Sequence, residues 1–468
     1  MENYDLIIIG GGAGAFAAAI KANGLGAKTL MVNKGLPLGG TCVNVGCVPS
    51  KTLLWAGEVM HLAKNHGIPG VELEIKNFDF AQVIQHEIDL VDKLRDEKYQ
   101  KVLSQLENVT HLEGQAVFVS PNEIDVDGSR YIAQKFIIAA GSTATVPPIK
   151  GIKEVGYLTH IEALQIKNLP KELIVIGAGP VGLEFAQMYA RFGTKVTILH
   201  RGSYIFRGEE ELVTRLAEIL IDEGITIKTN VQVQKAYREG DKKVLSYKEA
   251  DLSAETLVKA DEILLATGKT PNTQGLELDK AGVDLNEKQA IKVNPQFQTS
   301  QSHIFAVGDV TELPIRQETT AGREGTLTAE NALKNTQNSI DYNAVPWAIF
   351  TDPQLAGVGF TEEEQMKKFG TCMCKTVSFK DIPKAIIINR TEGLIKMAIH
   401  PKTKQIMGIH ILAPNASELI AEAMVLIKNK NTIDDVINSL PMFPTLSESI
   451  KIAALSFTND ITKLSCCI

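Results

Sequence analysis

An apolar strand that breaks into spaced glycines and then into a helix of small residues occurs twice in this chain, and no other feature narrows its possible folds as much. The first copy is YDLIIIGGGAGAFAAAIKANGLGAKTLMVNK, starting at Tyr4. Tyr4–Ile9 reads as a strand and Lys28–Val32 as the next one, with a helix between them. The strand runs into Gly10, Gly12 and Gly14; Gly10 permits the tight turn, Gly12 lets backbone approach a pyrophosphate, and Ala15 takes the third, helix-packing position. The helix amino terminus would meet phosphates with its unpaired N–H groups. An acid usually ends the second strand and holds a ribose. Here that position is Asn33, which accepts a hydrogen bond but carries no charge. The second copy is KELIVIGAGPVGLEFAQMYARFGTKVTILHRGSYIFR, starting at Lys171. Gly177, Gly179 and Gly182 fill all three glycine positions. Its second strand, Lys195–Leu199, runs into His200 and Arg201, and Arg207 follows. Two guanidiniums suit a ribose 2′-phosphate, through charge-assisted hydrogen bonds of about 1.5–3 kcal/mol each, so this copy reads as a site for NADPH. Two fingerprints in one chain imply two bound dinucleotides.

The chain of 468 residues is long enough for three domains at roughly 150 residues each. Hydrophobic residues make up 44% and charged residues 22%, an ordinary globular balance. With 48 basic against 55 acidic residues, the net charge of −7 argues against a nucleic-acid partner. The apolar run Leu6–Ile20 is cut by glycines and too short to span a bilayer, and no signal peptide is visible, because Tyr4–Ile9 already reads as a strand. Six cysteines in so long a chain make no disulfide scaffold. Their clustering points to redox or metal chemistry in a reducing, cytoplasmic setting.

Three further segments read as strands that end in glycine turns. FIIAAGS contains Gly141, EILLATGKTPN contains Gly268, and the strand in TSQSHIFAVGDV ends at Gly308 and Asp309. An aspartate there suits a ribityl hydroxyl beside a pyrophosphate. Between the first fingerprint and Lys51 lies GGTCVNVGCVPSK. Here Gly40 and Thr41 lead into Cys42, and Cys47 follows before a helical stretch, Ser50–His61. One helical turn would let two thiols at this spacing meet, and a helix amino terminus would lower the thiol pKa. A zinc site would need two more ligands, and none stands nearby. Buried structural cysteines are the other reading of the pair.

With these motifs in this order, the whole chain resembles the flavin-dependent pyridine nucleotide–disulfide oxidoreductases. The resemblance implies an α/β architecture with two Rossmann-like domains and a C-terminal α+β dimerisation domain. It places the FAD-binding domain at residues 1–150 and 271–344, the NADPH domain at 151–270, and the dimerisation domain at 345–468. It also implies that Cys47 is the flavin-proximal charge-transfer thiol, that Cys42 is the interchange thiol, and that Lys51 and Glu184 form the ion pair beside the flavin.

Members that reduce disulfides carry a histidine in the C-terminal domain, five residues before a glutamate, as the acid that protonates a leaving thiolate. In PMFPTLSES, Pro444, Thr445 and Glu448 are in place but Phe443 stands in the histidine slot. Phenylalanine transfers no proton, so turnover of small disulfides should be impaired by about 10²–10⁴-fold. The chain ends in KLSCCI, with Cys466 and Cys467 adjacent. Adjacent cysteines make a poor disulfide on a tail that frays. The redox motif and the tail together resemble the mercuric reductase branch of the family. Hg(II) is a soft cation that prefers two thiolates. The resemblance implies a homodimer that takes Hg(II) as thiol complexes, with the partner subunit's tail passing the ion to Cys42 and Cys47. Members of that branch often carry tyrosine at the positions of Phe443 and Pro180, and many begin with an additional metal-binding domain, whereas this sequence starts at the first strand. Prenylation or electron relay are other uses for such a tail, and a disulfide reductase for an unknown thiol and a non-catalytic soft-metal binder are the competing functions. Cys372 and Cys374, in GTCMCKT, fall near a strand start on one face; they read as incidental thiols or as a secondary metal contact.

Overall fold

The computed structural model describes residues 2–249, 254–463 and 465. The first sheet is built around β1 (Glu2–Ile9), with β2 (Thr29–Asn33) on one side and Ser129–Ile138 on the other, all parallel. Beyond β2 lies β3 (Val109–Glu113), also parallel. The chain leaves this sheet for more than a hundred residues and returns at Ile304–Ala306, which pairs parallel to Ser129–Ile138. Leu6, Ile7 and Ile8 are wholly buried, because a parallel sheet is covered on both faces and its strands are apolar on both sides. Between β1 and β2 runs α1 (Ala13–Gly24). It crosses the helix Glu318–Lys334 so closely that a Cβ on Gly325 would lie 2.0 Å from the Gly14 carbonyl oxygen.

A second parallel sheet, in the order Thr226–Lys228, Lys195–Leu199, Glu172–Ile176, Glu262–Leu265, carries the second fingerprint. An antiparallel three-stranded sheet, Val231–Glu239, Lys242–Glu249 and Glu255–Ala260, lies beside it in sequence. The two parallel sheets are joined by a short ribbon. Ser142–Ala144 pairs antiparallel with Lys269–Pro271, so the Gly141 and Gly268 turns, far apart in sequence, flank one element. Their φ values of +70° and +103° lie where only glycine is comfortable. The C-terminal portion is a five-stranded antiparallel sheet with Met373–Ser378 as an edge strand. Helices Ala416–Lys428 and Glu448–Leu455 pack on it through Ile420, Ala423, Ile450 and Ala454. No helix among the described residues is long and apolar enough to cross a membrane.

A buried ion cluster fixes the C-terminal portion to the rest. Arg191, at the end of helix Pro180–Arg191, meets Glu223 at 2.7 Å and Asp352 at 3.0 Å, and Asp352 also pairs with Arg390. The Arg191 side chain is only 5% exposed. Removing one partner from such a cluster would strand a buried charge, at a cost of about 3–5 kcal/mol. The cluster therefore sets where Phe350, two residues before Asp352, stands against that helix.

Candidate active site

The two glycine loops fold in the same way. Gly10 has φ +132°, and a Cβ there would sit 2.2 Å from the Ala139 carbonyl oxygen; Gly177 has φ +108°, with the Ala266 carbonyl oxygen at 2.3 Å. In each case the neighbouring strand end crowds the first glycine and excludes a side chain. Gly12 and Gly179 are open where a ligand would approach: nothing lies within 4 Å of a Cβ built on Gly179, and only the Gly40 Cα, at 3.8 Å, on Gly12. Gly182 takes the close-packing role, since a Cβ there would meet the Gly177 carbonyl oxygen at 2.1 Å; Ala15, in the matching place, is wholly buried. Both loops thus present bare backbone at a helix start, which suits a pyrophosphate.

Asn33 turns inward. Its Nδ2 donates to the Leu36 carbonyl at 2.9 Å and to the carboxylate of Glu113 at 3.2 Å. Glu113 ends the adjacent strand β3, in register with Asn33. A carboxylate therefore does stand beside the end of β2, supplied from the next strand. Reading β2 alone missed it, because strand pairing brings it from eighty residues away. In the second fold, His200 accepts the Ala178 N–H at 3.2 Å through Nδ1. Burial, and then the neighbouring Arg201, lower its pKa, so a neutral imidazole braces the glycine loop. Arg201 and Arg207 are exposed.

Near the return strand, the Ser142 hydroxyl donates to Asp309 at 2.7 Å. Gly308 donates its N–H to Glu324 at 2.8 Å, and the Tyr342 hydroxyl donates to the same carboxylate at 2.8 Å. Burial pushes Glu324 up to about 7. Lys269, in the Gly268 turn, lies 2.8 Å from Nε2 of His160; burial, then that ammonium, lower His160 to about 4. Sequence reading singled out neither Glu324 nor His160.

The cysteine motif departs from the expected single helical turn. Cys42 lies on α2 (Gly40–Val45) and Cys47 opens a separate helix, α3 (Cys47–Asn65). The break is at Gly46, where a Cβ would lie 2.8 Å from the Thr41 carbonyl oxygen. The two helices fold onto each other across this glycine, and the two side chains hydrogen bond. Asn44 holds the preceding loop by donating to Pro37, Leu38 and Gly40 carbonyls at 2.8–3.2 Å. The loop is also pinned to the first fingerprint: Gly39 donates its N–H to the Gly11 carbonyl at 2.8 Å, and a Cβ on Gly40 would lie 2.6 Å from the Gly12 Cα. The thiol pair and the first glycine loop are therefore one rigid unit.

Both thiols are unbonded to each other, and Cys47 is exposed. The hydrogen bond from Cys42 lowers the Cys47 pKa most, and Lys51, one turn along α3, lowers it further. The same contact, with burial, raises Cys42. Cys47 is thus the thiolate and Cys42 the thiol that donates to it, as expected for a cysteine at a helix start. Lys51 is itself held: its Nζ lies 2.8 Å from Oε2 of Glu184, which is 5% exposed, and 4.4 Å from the centre of the Phe350 ring. The other Glu184 oxygen accepts the Phe350 N–H at 2.9 Å. Packing of α3 on helix Pro180–Arg191, with Gly57 against Arg191, brings this pair together. Phe350 carried no sequence signal, since its role is a backbone N–H and a ring face.

In the C-terminal portion Phe443 is 42% exposed, and Glu448 accepts the Thr445 N–H at 3.1 Å, a local bond at the start of its own helix. Cys466 and Cys467 lie outside the described residues. Cys372 and Cys374 are bonded to each other at the head of the edge strand, so they are not the free thiols anticipated.

Two family models cover the chain. Pyridine nucleotide-disulphide oxidoreductase matches residues 4–339 and its dimerisation domain matches residues 345–454. Mercuric reductase of Staphylococcus aureus is 38% identical over 466 residues, spanning 99% of this chain and 84% of the relative. That of Streptomyces lividans is 37% identical, spanning 99% and 98%. Among solved structures, the HOCl-induced flavoprotein disulfide reductase RclA from Escherichia coli superposes with a TM-score of 0.86 at 27% identity, covering 97% of this chain and all of that one. The glycine loops, the paired cysteines and these matches together make the chain a member of the pyridine nucleotide-disulphide oxidoreductase family, an oxidoreductase that uses FAD and a nicotinamide nucleotide.

Proposed function

We propose that this protein is an NADPH-dependent mercury(II) reductase. The observation that carries the reading is the Cys42–Cys47 pair: a thiol and a thiolate in contact, at a helix start, with an anchored lysine one turn away. Similarity over the full chain to several mercuric reductases supports the substrate. In this reading the first fingerprint, Asn33, Glu113, Gly308 and Asp309 hold FAD. Gly177, Gly179 and Gly182 take the NADPH pyrophosphate, and Arg201 and Arg207 its 2′-phosphate.

When bound, the two cofactors supply hydride and electron-pair transfer; the chain supplies ligands, position and charge. Overall, NADPH and Hg(II) become NADP⁺, a proton and Hg(0). Hg(II) arrives bound to two small thiolates. The Cys47 thiolate displaces one of them. Cys42 displaces the other and gives its proton to the departing thiolate, leaving the ion between two protein sulfurs. Lys51 adds to the lowering of the Cys47 pKa that the Cys42 hydrogen bond begins, and Glu184 holds Lys51 in place. No acid is needed for a product that is a metal atom, which agrees with Phe443 in the histidine slot. Cys466 and Cys467 of the partner subunit in a homodimer would collect Hg(II) from bulky thiols and hand it inward.

Purified enzyme with FAD, given NADPH and excess small thiol, should oxidise NADPH when Hg(II) is added and stay near background with glutathione disulfide or lipoamide. Turnover of a disulfide with no response to Hg(II) would overturn the reading. For the tail, Cys466→Ala with Cys467→Ala should slow reduction of Hg(II) bound to bulky thiols more than that of mercuric bromide. Equal rates for both substrates would remove the delivery role.

A further inference from the structure

A second sulfur pair lies at the head of an edge strand of the C-terminal sheet. Cys372 and Cys374 flank Met373, with Cα atoms 6.1 Å apart. Met373 and Val377 pack into the core of the sheet, so by the alternation of a strand Cys374 and Thr376 face the opposite way. That opposite face looks onto the start of helix Glu210–Asp222, where the Thr376 hydroxyl donates to Glu211 at 2.5 Å. A carboxylate oxygen of Glu362, the first residue of helix Glu362–Phe369, lies within 4.8 Å of both sulfurs. Glu362 belongs to a lopsided charge cluster. The Lys396 ammonium touches Glu362 at 2.6 Å, Glu209 at 3.1 Å and Glu211 at 3.6 Å, so three carboxylates face one cation.

From this arrangement we infer that reduced Cys372 and Cys374, with Glu362, form a second binding site for a soft divalent cation, separate from Cys42 and Cys47. The chemistry fits each part. Two thiolates select a soft metal over calcium or magnesium. With metal–sulfur bonds of about 2.3 Å, as for zinc, two sulfurs sharing a cation stand about 4–4.6 Å apart. Side chains rising from Cα atoms 6.1 Å apart on one face can span that. The surplus negative charge attracts a cation, and a carboxylate has a second oxygen to offer while the first holds Lys396. An edge strand leaves the pair half-exposed, so a metal–thiol complex can reach it.

The structure holds the pair oxidised, so a reductant is needed, and a small monothiol serves. Two monothiol molecules reduce the bond: their sulfurs join as a disulfide and their protons pass to the two cysteines. A dithiolate complex of Hg(II) then exchanges both ligands. Each cysteine sulfur bonds to the metal, and each cysteine proton leaves on a released monothiol. The metal keeps its oxidation state throughout. This site does not depend on the reaction proposed for Cys42 and Cys47.

The test uses the full-length flavoprotein with Cys42, Cys47, Cys466 and Cys467 changed to serine, leaving only the second pair. After reduction and removal of reductant, the protein is titrated with mercuric chloride in excess free cysteine. Retained metal is counted after desalting and followed by sulfur-to-metal absorption in the ultraviolet. One mercury per chain should remain, it should vanish when Cys372→Ser and Cys374→Ser are added, and Glu362→Gln should weaken retention several-fold. Should the fourfold variant lose its flavin, the comparison is made in the otherwise native chain, where Cys372→Ser with Cys374→Ser should lower retained mercury by one per chain. Retention unchanged by removing the pair, or no retention by the pair alone, would overturn the inference.

Discussion

The anchored lysine gives a two-sided prediction. Cys47 and Lys51 are four residues apart on α3, which places their Cβ atoms about 5–6 Å apart. Two unit charges about 6 Å apart in an effective dielectric of about 20 interact by about 3 kcal/mol. Cys47 is exposed, so solvent screening should at least halve this, and Glu184 at 2.8 Å draws the ammonium's field toward itself. Lys51→Met should therefore raise the Cys47 pKa, by less than this bare interaction would give. The Cys42 hydrogen bond, the larger cause of the lowering, stays in place. Glu184→Gln should act the other way: it removes the counter-charge and leaves the ammonium unneutralised, so Cys47 should titrate lower than in the native protein. The assay is the pH dependence of iodoacetamide alkylation in the reduced enzyme, with Cys42 and Cys47 distinguished by fragment mass spectra. Shifts in the same direction for both variants, or none for either, would refute the claim that Glu184 and Lys51 set the thiolate.

Gly177→Ala should cost at least about tenfold in nicotinamide nucleotide affinity, because the new Cβ would meet the Ala266 carbonyl at 2.3 Å with φ at +108°; flavin content should be unchanged, and fluorescence titration reads both. Arg201→Ala with Arg207→Ala should weaken NADPH far more than NADH, and equal losses in a binding titration would remove the 2′-phosphate assignment. His410 is wholly buried, neither ring nitrogen finds a partner among the described residues, and burial, then Lys396, lower its pKa to about 3. The unfolded chain titrates near 6.5, so the unfolded state binds more protons between these values. Stability should be full above about pH 6.5 and fall with pH toward 3, by about 2 kcal/mol between pH 7 and 5. Urea unfolding of native protein and His410→Leu should differ in this slope; identical slopes would contradict the assignment.

The parts of the fold carried by local pattern were legible in the sequence. Lys195–Leu199 is a strand with those bounds, and both glycine loops open helices where their spacing requires. Contacts made by distant segments were not. The thiols were expected to meet within one helical turn, whereas the chain breaks at Gly46 and two helices meet. Reading Asn33 as a lost acid overlooked Glu113, because strand neighbours are not sequence neighbours. Phe350 acts through its backbone and the face of its ring, neither of which leaves a motif. The buried Arg191 cluster joins residues from four separate stretches, each unremarkable alone. For Cys372 and Cys374, alternation gave the shared face, but not the bond between them or the approach of Glu362.

The central claim is that electrons from the nucleotide reach Hg(II) through Cys42 and Cys47, and the most direct measurement of it is the yield of volatile mercury per NADPH oxidised. With native enzyme, excess small thiol and limiting NADPH, one Hg(0) should leave for each NADPH consumed, and Cys42→Ala or Cys47→Ala should abolish release while NADPH still reduces the flavin. Mercury release that persists without either cysteine, or NADPH oxidation with no Hg(0) evolved, would contradict it.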